Sequence, residues 1–204
     1  MELATTIQEK MKNPQLVLAS TSPFRREILE KLSIAFITEA PNCDETPLAN
    51  ESPLALVERL AITKAKSCHS DTPSLIIGSD QVCVVDSKII GKPHSRDKAI
   101  EQLNAQNGRS ITFLTGLALY NSVTGNIQSS VESYTVHFRL LSAQQIEAYV
   151  DKEQPFSCAG SFKSEGLGVS LFKRMEGDDP NTLIGLPLIK LIDFLANEGI
   201  QVLS

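Results

Sequence analysis

The stretch LVLASTSPFRREILEKL, residues 16–32, constrains the fold more than any other part of the chain. A fully apolar run, Leu16-Val17-Leu18, passes through Ser20-Thr21-Ser22-Pro23 into a segment whose apolar residues Phe24, Ile28, Leu29 and Leu32 recur at helical spacing. Ser22 is placed to cap the helix through its hydroxyl, and Pro23 suits the first helical position, where no N–H partner is needed. A buried strand turning directly into a helix is the opening of an α/β fold.

The first turn of this helix carries Arg25 and Arg26. The helix macrodipole puts partial positive charge there, so acidic residues are the usual occupants. Two readings stay open at this point. The arginines are solvated and tolerate a small penalty, or they join the free N–H groups and three hydroxyls of the turn in holding an anion such as phosphate.

The rest of the chain extends the α/β pattern. A strand-like run at 34–37 is followed by the polar loop APNCDETPLANES, and Ser52-Pro53 repeats the cap signal at the start of a helix through about residue 67. SLIIGSDQVCVVDSKIIGKP reads as a buried strand, a short break and a hairpin around Asp86-Ser87. Residues 95–106 read as a helix, ITFLTGLALYNS and SYTVHFRLL as strands, and 142–150 as a capped helix. The Gly-rich CAGSFKSEGLGVSLF then leads to the loop EGDDPNTLIGLP and a last amphipathic helix, 188–196. Alternation followed by hairpin strands predicts a mixed sheet flanked by helices, in one domain over 1–204 with a cleft between two lobes.

With 42% hydrophobic residues in 204, the chain can bury a substantial core. It has no apolar run long enough for a membrane span, and MELATTIQEKMKN lacks a signal-peptide core, so the expected location is the cytoplasm. Cys43, Cys68, Cys83 and Cys158 are scattered with no CxxC, and the histidines stand alone, which excludes a zinc pattern and predicts reduced packing cysteines. A net charge of −5 disfavours a general nucleic-acid surface, so any polyanion the chain binds is expected to be small and held locally.

Four further positions offer chemistry. Asp80 follows the apolar run LIIGS and is expected at or near the carboxyl end of a buried strand, where open α/β sheets bind ligands. Glu45 offers a second carboxylate from a loop, and two such groups beside a triphosphate suit Mg²⁺ or Mn²⁺. Lys64 lies three residues after Ala61 and seven after Val57, on the apolar stripe of its helix, from which it either snorkels or points into a cleft. Lys92, in GKP, can reach the same place from the hairpin. This inventory fits hydrolysis of a nucleotide polyphosphate, in which positioning and charge neutralisation supply most of the catalysis. The chain has no Walker lysine motif, HExxH, GxSxG or helix-opening GxGxxG.

In this order, LASTSPFRREIL, DET, RLAITKA, GSDQVC, GKP, AGSFKSEG and DPNTLIGLP resemble the Maf family of nucleotide pyrophosphatases over nearly the whole chain. The aromatic after Ser-Pro, the Asp-Gln pair and FKSEG resemble the branch that acts on 7-methyl-GTP. Other branches carry Arg in place of Phe24, Thr after the aspartate and Gln in place of Glu165. The resemblance implies a Ham1-like (ITPase-like) fold, a divalent metal at Glu45 and Asp80, and a homodimer. It makes Asp80 the proton acceptor for the attacking water, with Lys64 and Lys92 in the catalytic set. Ser20 and Arg25 then contact phosphate, while Phe24, Gln81 and Glu165 fall on specificity positions.

Two of those positions make physical sense for a 7-methylguanine ring, which is cationic. An aromatic face such as Phe24 attracts it by ~0.5–2 kcal/mol, where Arg would repel it. A carboxylate such as Glu165 accepts guanine's N1–H and N2–H₂ donor edge. Relatives in this branch carry Trp where this chain has Phe24, a change that keeps the aromatic face and reduces its area. The rival readings are a pyrophosphatase for UTP, dTTP or other modified nucleotides, and a nucleotide-binding regulator of septum formation, which would not require Asp80.

Overall fold

The computed structural model describes residues 14–68, 71–86 and 88–203. The leader reading of residues 1–13 and the place of Ser87 in the hairpin turn lie outside the described residues. One mixed sheet of seven strands runs through the molecule: β1 (Gln15–Ala19), β2 (Ile37–Glu39), β3 (Ser74–Val85), β4 (Lys88–Ile90), β5 (Ser110–Asn121), β6 (Ile127–Phe138) and β7 (Phe172–Glu176). The strand order is β2-β1-β3-β5-β6-β7, with β4 paired to the far end of β3. Six α-helices are described beside two short 3-10 turns: α1 (Pro23–Glu30), α2 (Pro53–Ser67), α3 (Arg96–Gln106), α4 (Ala143–Glu153), α5 (Pro180–Ile184) and α6 (Leu188–Asn197).

Serine side chains start four of these helices. Ser22, Ser52, Ser95 and Ser142 each accept the backbone N–H three residues on, and Ser142 forms a reciprocal capping box with Gln145. Among the described residues, helix α2 alone covers one face of the sheet. It comes unusually close because β3 and β5 present Gly78 and Gly116 to it, where a β-carbon would stand 2.0 Å from the Ala61 carbonyl oxygen and 2.1 Å from that of Val57. The opposite face carries two packed cores. Leu16, Leu18, Leu75 and Ile77 meet Ile28 and Leu29 of α1 and Leu191 and Leu195 of α6. Phe113, Phe138, Phe162 and Phe172 meet α3 and α4, with rings edge to face at centroid distances from 4.8 to 5.8 Å.

The cleft arises from strand pairing. β1 runs parallel to β3 only as far as Leu18 opposite Ile77, and β4 joins antiparallel only from Cys83. Between them, residues 78–82 of β3 are paired to β5 on one side and open on the other.

Several elements differ from the sequence expectation. β3 is unbroken, so Asp80 lies in mid-strand at the point where the parallel ladder stops, and not at a strand end. The continuous antiparallel partner β5 keeps Gly78-Ser79-Asp80 extended despite its turn-like composition. The run at 34–37 pairs only from Ile37 onward; Ile34 and Phe36 pack on the α1–α6 core while the chain descends from Ser33, at φ 55°. β6 starts at Ile127, ahead of the expected SYTVHFRLL, because polar Gln128 and Ser129 bond Glu198 and Glu58. β7 and α5 replace expected loop, the first a wet edge strand with Phe172 alone buried, the second a five-residue helix too short to show a period. No helix among the described residues is long and apolar enough to cross a membrane.

Candidate active site

The open edge of β3 lines a cleft of about 760 Å³, a size suited to a nucleotide-sized ligand. All nine residues selected from the sequence border it: Ser20, Phe24, Arg25, Glu45, Lys64, Asp80, Gln81, Lys92 and Glu165. Successive residues of a strand point to opposite faces, so Asp80 looks toward α2 and Gln81 toward α5. A cleft straddling a strand edge gathers both.

On the α2 side, Lys64 Nζ donates to Asp80 Oδ1 at 2.7 Å and pairs with Glu45 Oε2 at 2.7 Å. Lys64 is 6% exposed and Asp80 9%, so this lysine does not snorkel to solvent. Asp80 Oδ2 receives no hydrogen bond from a described residue and remains a free acceptor. The loop bearing Glu45 is tied down by Arg59, whose Nε and Nη2 grip both oxygens of Glu51 at 2.6 and 2.8 Å and which also donates to the Thr46 carbonyl. Those Arg59 hydrogen bonds hold the Glu51 carboxyl down at about 2.

The two arginines of the first helical turn part ways. Arg26 is exposed and pairs with Glu30 at 3.1 Å, a solvated i,i+4 contact, so the idea of two converging guanidinium forks is corrected to one. Arg25 turns into the cleft, where Nε donates to the Gly185 carbonyl at 2.8 Å and leaves the outer N–H groups of the fork for a ligand. Burial lowers its pKa from the ordinary arginine value, and the charges of Asp80 and Glu45 oppose that shift. Ser20, 5% exposed at the end of β1, accepts from the Ser22 N–H at 3.1 Å and brings its hydroxyl to the same corner. Lys92 is exposed at the opposite rim and forms no ion pair with a described residue.

Phe24 shares helical spacing with Ile28 and Leu32 but belongs to none of the apolar cores; its half-buried ring faces the cleft. Glu165 is exposed on the cleft and accepts from Ser164 Oγ at 3.3 Å, its one side-chain hydrogen bond among the described residues. Its loop is held to α4 by two side chains. Tyr149 accepts the Lys163 N–H at 3.1 Å, and Glu153 accepts the Leu167 N–H at 2.8 Å while pairing with Lys163. Gln81 is less free than its position implies. Its amide nitrogen is committed to Thr115 Oγ1 and the carbonyls of Thr182 and Leu183, so only its carbonyl oxygen is left for a ligand.

Three cations (Arg25, Lys64, Lys92) and three carboxylates (Glu45, Asp80, Glu165) line the cleft, so a bound polyphosphate brings uncompensated negative charge. The donor chemistry fits a hard divalent cation. Glu45 and Asp80 present oxygens within reach of a single cation, as their shared contact with Lys64 demonstrates, and phosphate and water oxygens can complete the shell. Among the described residues no group of three or more His, Cys, Asp or Glu forms a cage on its own.

Sequence reading missed the carbonyls of α5 that anchor Arg25 and Gln81. The signal for α5 was present in Asp179-Pro180, a cap followed by a first-turn proline, and in Gly185 at its end. The cysteine reading divides. Cys68 and Cys83 are core residues, whereas Cys158 lines the cleft; burial pushes its thiol up, which makes it a poor nucleophile.

The family model for Maf-like proteins matches residues 15–198. The chain belongs to the Maf family. Among the relatives of this Maf protein, the 7-methyl-GTP pyrophosphatase of Vibrio vulnificus (strain CMCP6) is 65% identical over 194 residues, covering 95% of this chain and all of its own. The 7-methyl-GTP pyrophosphatase of Vibrio cholerae serotype O1 (strain ATCC 39315 / El Tor Inaba N16961) is 61% identical over 193 residues, with the same coverage. The Ham1 protein of Staphylococcus aureus, a solved structure, matches with a TM-score of 0.51 over 90% of this chain and 99% of its own; at 15% identity this shows the shared Ham1-like fold alone.

Proposed function

We propose that this Maf protein hydrolyses 7-methyl-GTP to 7-methyl-GMP and pyrophosphate. The observation that carries this reading is the division of one cleft into two chemically distinct ends. Ser20, Arg25, Lys64 and Asp80 supply donors and a carboxylate suited to a triphosphate, while Phe24 and Glu165 supply an aromatic face and a carboxylate suited to a cationic guanine. The relatives named above share this activity in their names at more than half identity.

In this reading Asp80 uses Oδ2, the oxygen that Lys64 leaves open when it bonds Oδ1 in the nucleotide-free state, to take the proton of a water that attacks the α-phosphorus. Arg25, fixed through Nε, offers its remaining N–H groups to the phosphate oxygens; Lys92 closes over them from the rim. Glu45 and Asp80 would hold a divalent cation, Mg²⁺ or Mn²⁺, which when bound polarises phosphoryl oxygens and offsets their charge. Phe24 stacks on the base and Glu165 accepts its donor edge.

The test is a panel of nucleoside triphosphates, 7-methyl-GTP, GTP, UTP and dTTP, assayed for pyrophosphate and monophosphate with Mg²⁺ or Mn²⁺. The expected outcome is highest kcat/KM for 7-methyl-GTP. Preference for UTP or dTTP replaces the base assignment, and absence of hydrolysis on every nucleotide removes the enzymatic reading.

A further inference from the structure

Lys64 stands where a divalent cation bridging Glu45 and Asp80 would have to stand. Its ammonium is 2.7 Å from an oxygen of each carboxylate. Metal–oxygen distances of roughly 2.0–2.6 Å leave no room for both cations between the same oxygens. The ammonium is also confined. It comes from the buried face of α2, which the close approach at Gly78 and Gly116 presses onto the sheet, and the residue is 6% exposed. Removing it with nothing to receive it would leave a buried charge without a partner. Arg25, whose Nε is held by the Gly185 carbonyl, forms an ion pair with neither carboxylate.

We infer that Lys64 is an internal placeholder that keeps the carboxylate pair closed to free metal and gives it up only when a polyphosphate enters the cleft. The inference rests on the nucleotide-hydrolase reading for the identity of the incoming anion. Phosphate oxygens at the Ser20–Arg25 corner give the ammonium a new partner inside the same cleft, and the released carboxylates then face an open position. Metal and nucleotide therefore bind with positive coupling, each raising the affinity for the other by the same factor. The free enzyme does not store metal.

Calorimetric titration of the nucleotide-free protein with MnCl₂ tests this without any turnover. Wild type should bind Mn²⁺ weakly. Glu45→Gln, at a side chain 55% exposed, should weaken that affinity further, because any Mn²⁺ that binds must displace Lys64 to reach the same oxygens. Lys64→Met, which keeps the buried stem and removes the charge, should tighten Mn²⁺ binding by about tenfold or more. The double variant Lys64→Met/Glu45→Gln should lose that gain. Tight binding by wild type that Glu45→Gln abolishes overturns the inference, and so does a folded Lys64→Met with no gain. Should Lys64→Met fail to fold by circular dichroism, the comparison of wild type with Glu45→Gln still decides. Failure of the hydrolase reading appears separately, in the nucleotide panel.

Discussion

Gly78→Ala tests how closely catalysis depends on the distance between α2 and the sheet. Gly78 lies two residues before Asp80 on the same face of β3. A β-carbon there would sit 2.0 Å from the Ala61 carbonyl oxygen and 2.7 Å from the Ala65 nitrogen. Both are backbone atoms of α2 and cannot swing aside. To reach even the 3.0 Å that marks the tightest real contacts, the helix must withdraw by about 1 Å. Lys64 adjoins Ala65 on that helix, so its backbone withdraws too and its side chain must re-extend to keep the 2.7 Å bond to Asp80. Overpacking of this kind costs about 1–3 kcal/mol, which for a protein of this size lowers the melting temperature by about 2–12 °C. Misplacing a catalytic group by about 1 Å costs on the order of 10²-fold in rate. Thermal melts and steady-state pyrophosphate release measure both effects. Gly91→Ala, at a position with nothing within 4 Å, serves as the control for stability. A Gly78→Ala protein that melts within about 1 °C of wild type and turns over within about twofold would refute the argument.

Asp80→Asn keeps the shape but cannot accept the proton, so kcat should fall by at least about 10²-fold while nucleotide binding persists; near-normal turnover would remove Asp80 from proton transfer. Glu165→Gln turns one acceptor into a donor facing the guanine edge and should cost about 1–3 kcal/mol in kcat/KM for 7-methyl-GTP. Phe24→Ala should penalise 7-methyl-GTP more than GTP, and equal losses on UTP for both variants would assign these residues to the fold or the phosphates. Burial pushes the Cys83 thiol up to about 12 and that of Cys68 up to about 11. Unfolded thiols ionise near pH 8.5, so from there upward the unfolded chain releases protons that the native protein retains, and stability falls as pH rises toward those folded values. Urea denaturation between pH 8 and 11 should show a shallower decline for Cys83→Ala than for wild type, and parallel curves would contradict the assignment.

Much of the site was legible because its residues sit on elements that announce themselves. The Ser-Pro cap that starts α1 fixes the directions of Phe24 and Arg25, and the apolar spacing of α2 places Lys64 on the buried face. The sequence does not separate Arg25 from Arg26, because both occupy the same dipole environment; a carbonyl 160 residues away selects one of them. The same holds for Gln81, whose side chain is spoken for by α5. The unbroken course of β3 escaped notice since Gly-Ser-Asp is turn chemistry locally, and only the pairing with β5 and the approach of α2 explain a glycine in mid-strand. β7 carries no alternation because it is an edge strand with one buried residue.

The short helix α5 also sets the order in which the cleft can be completed. The carbonyls at its end accept side chains from elsewhere in the chain: that of Gly185 from Arg25 and Ser79, and that of Thr182, which also takes the Gly185 N–H, from Gln81 and Thr115. Arg25 and Ser79 precede their common acceptor by 160 and 106 residues. On a ribosome adding about 5–20 residues per second, they wait roughly 5–30 s for it. Once Asp80 has been added, the nascent chain holds Lys64 and Asp80 while the Arg25 guanidinium still has no Gly185 carbonyl to fix it. The Arg25 corner of the cleft is therefore completed only when the C-terminal segment has docked.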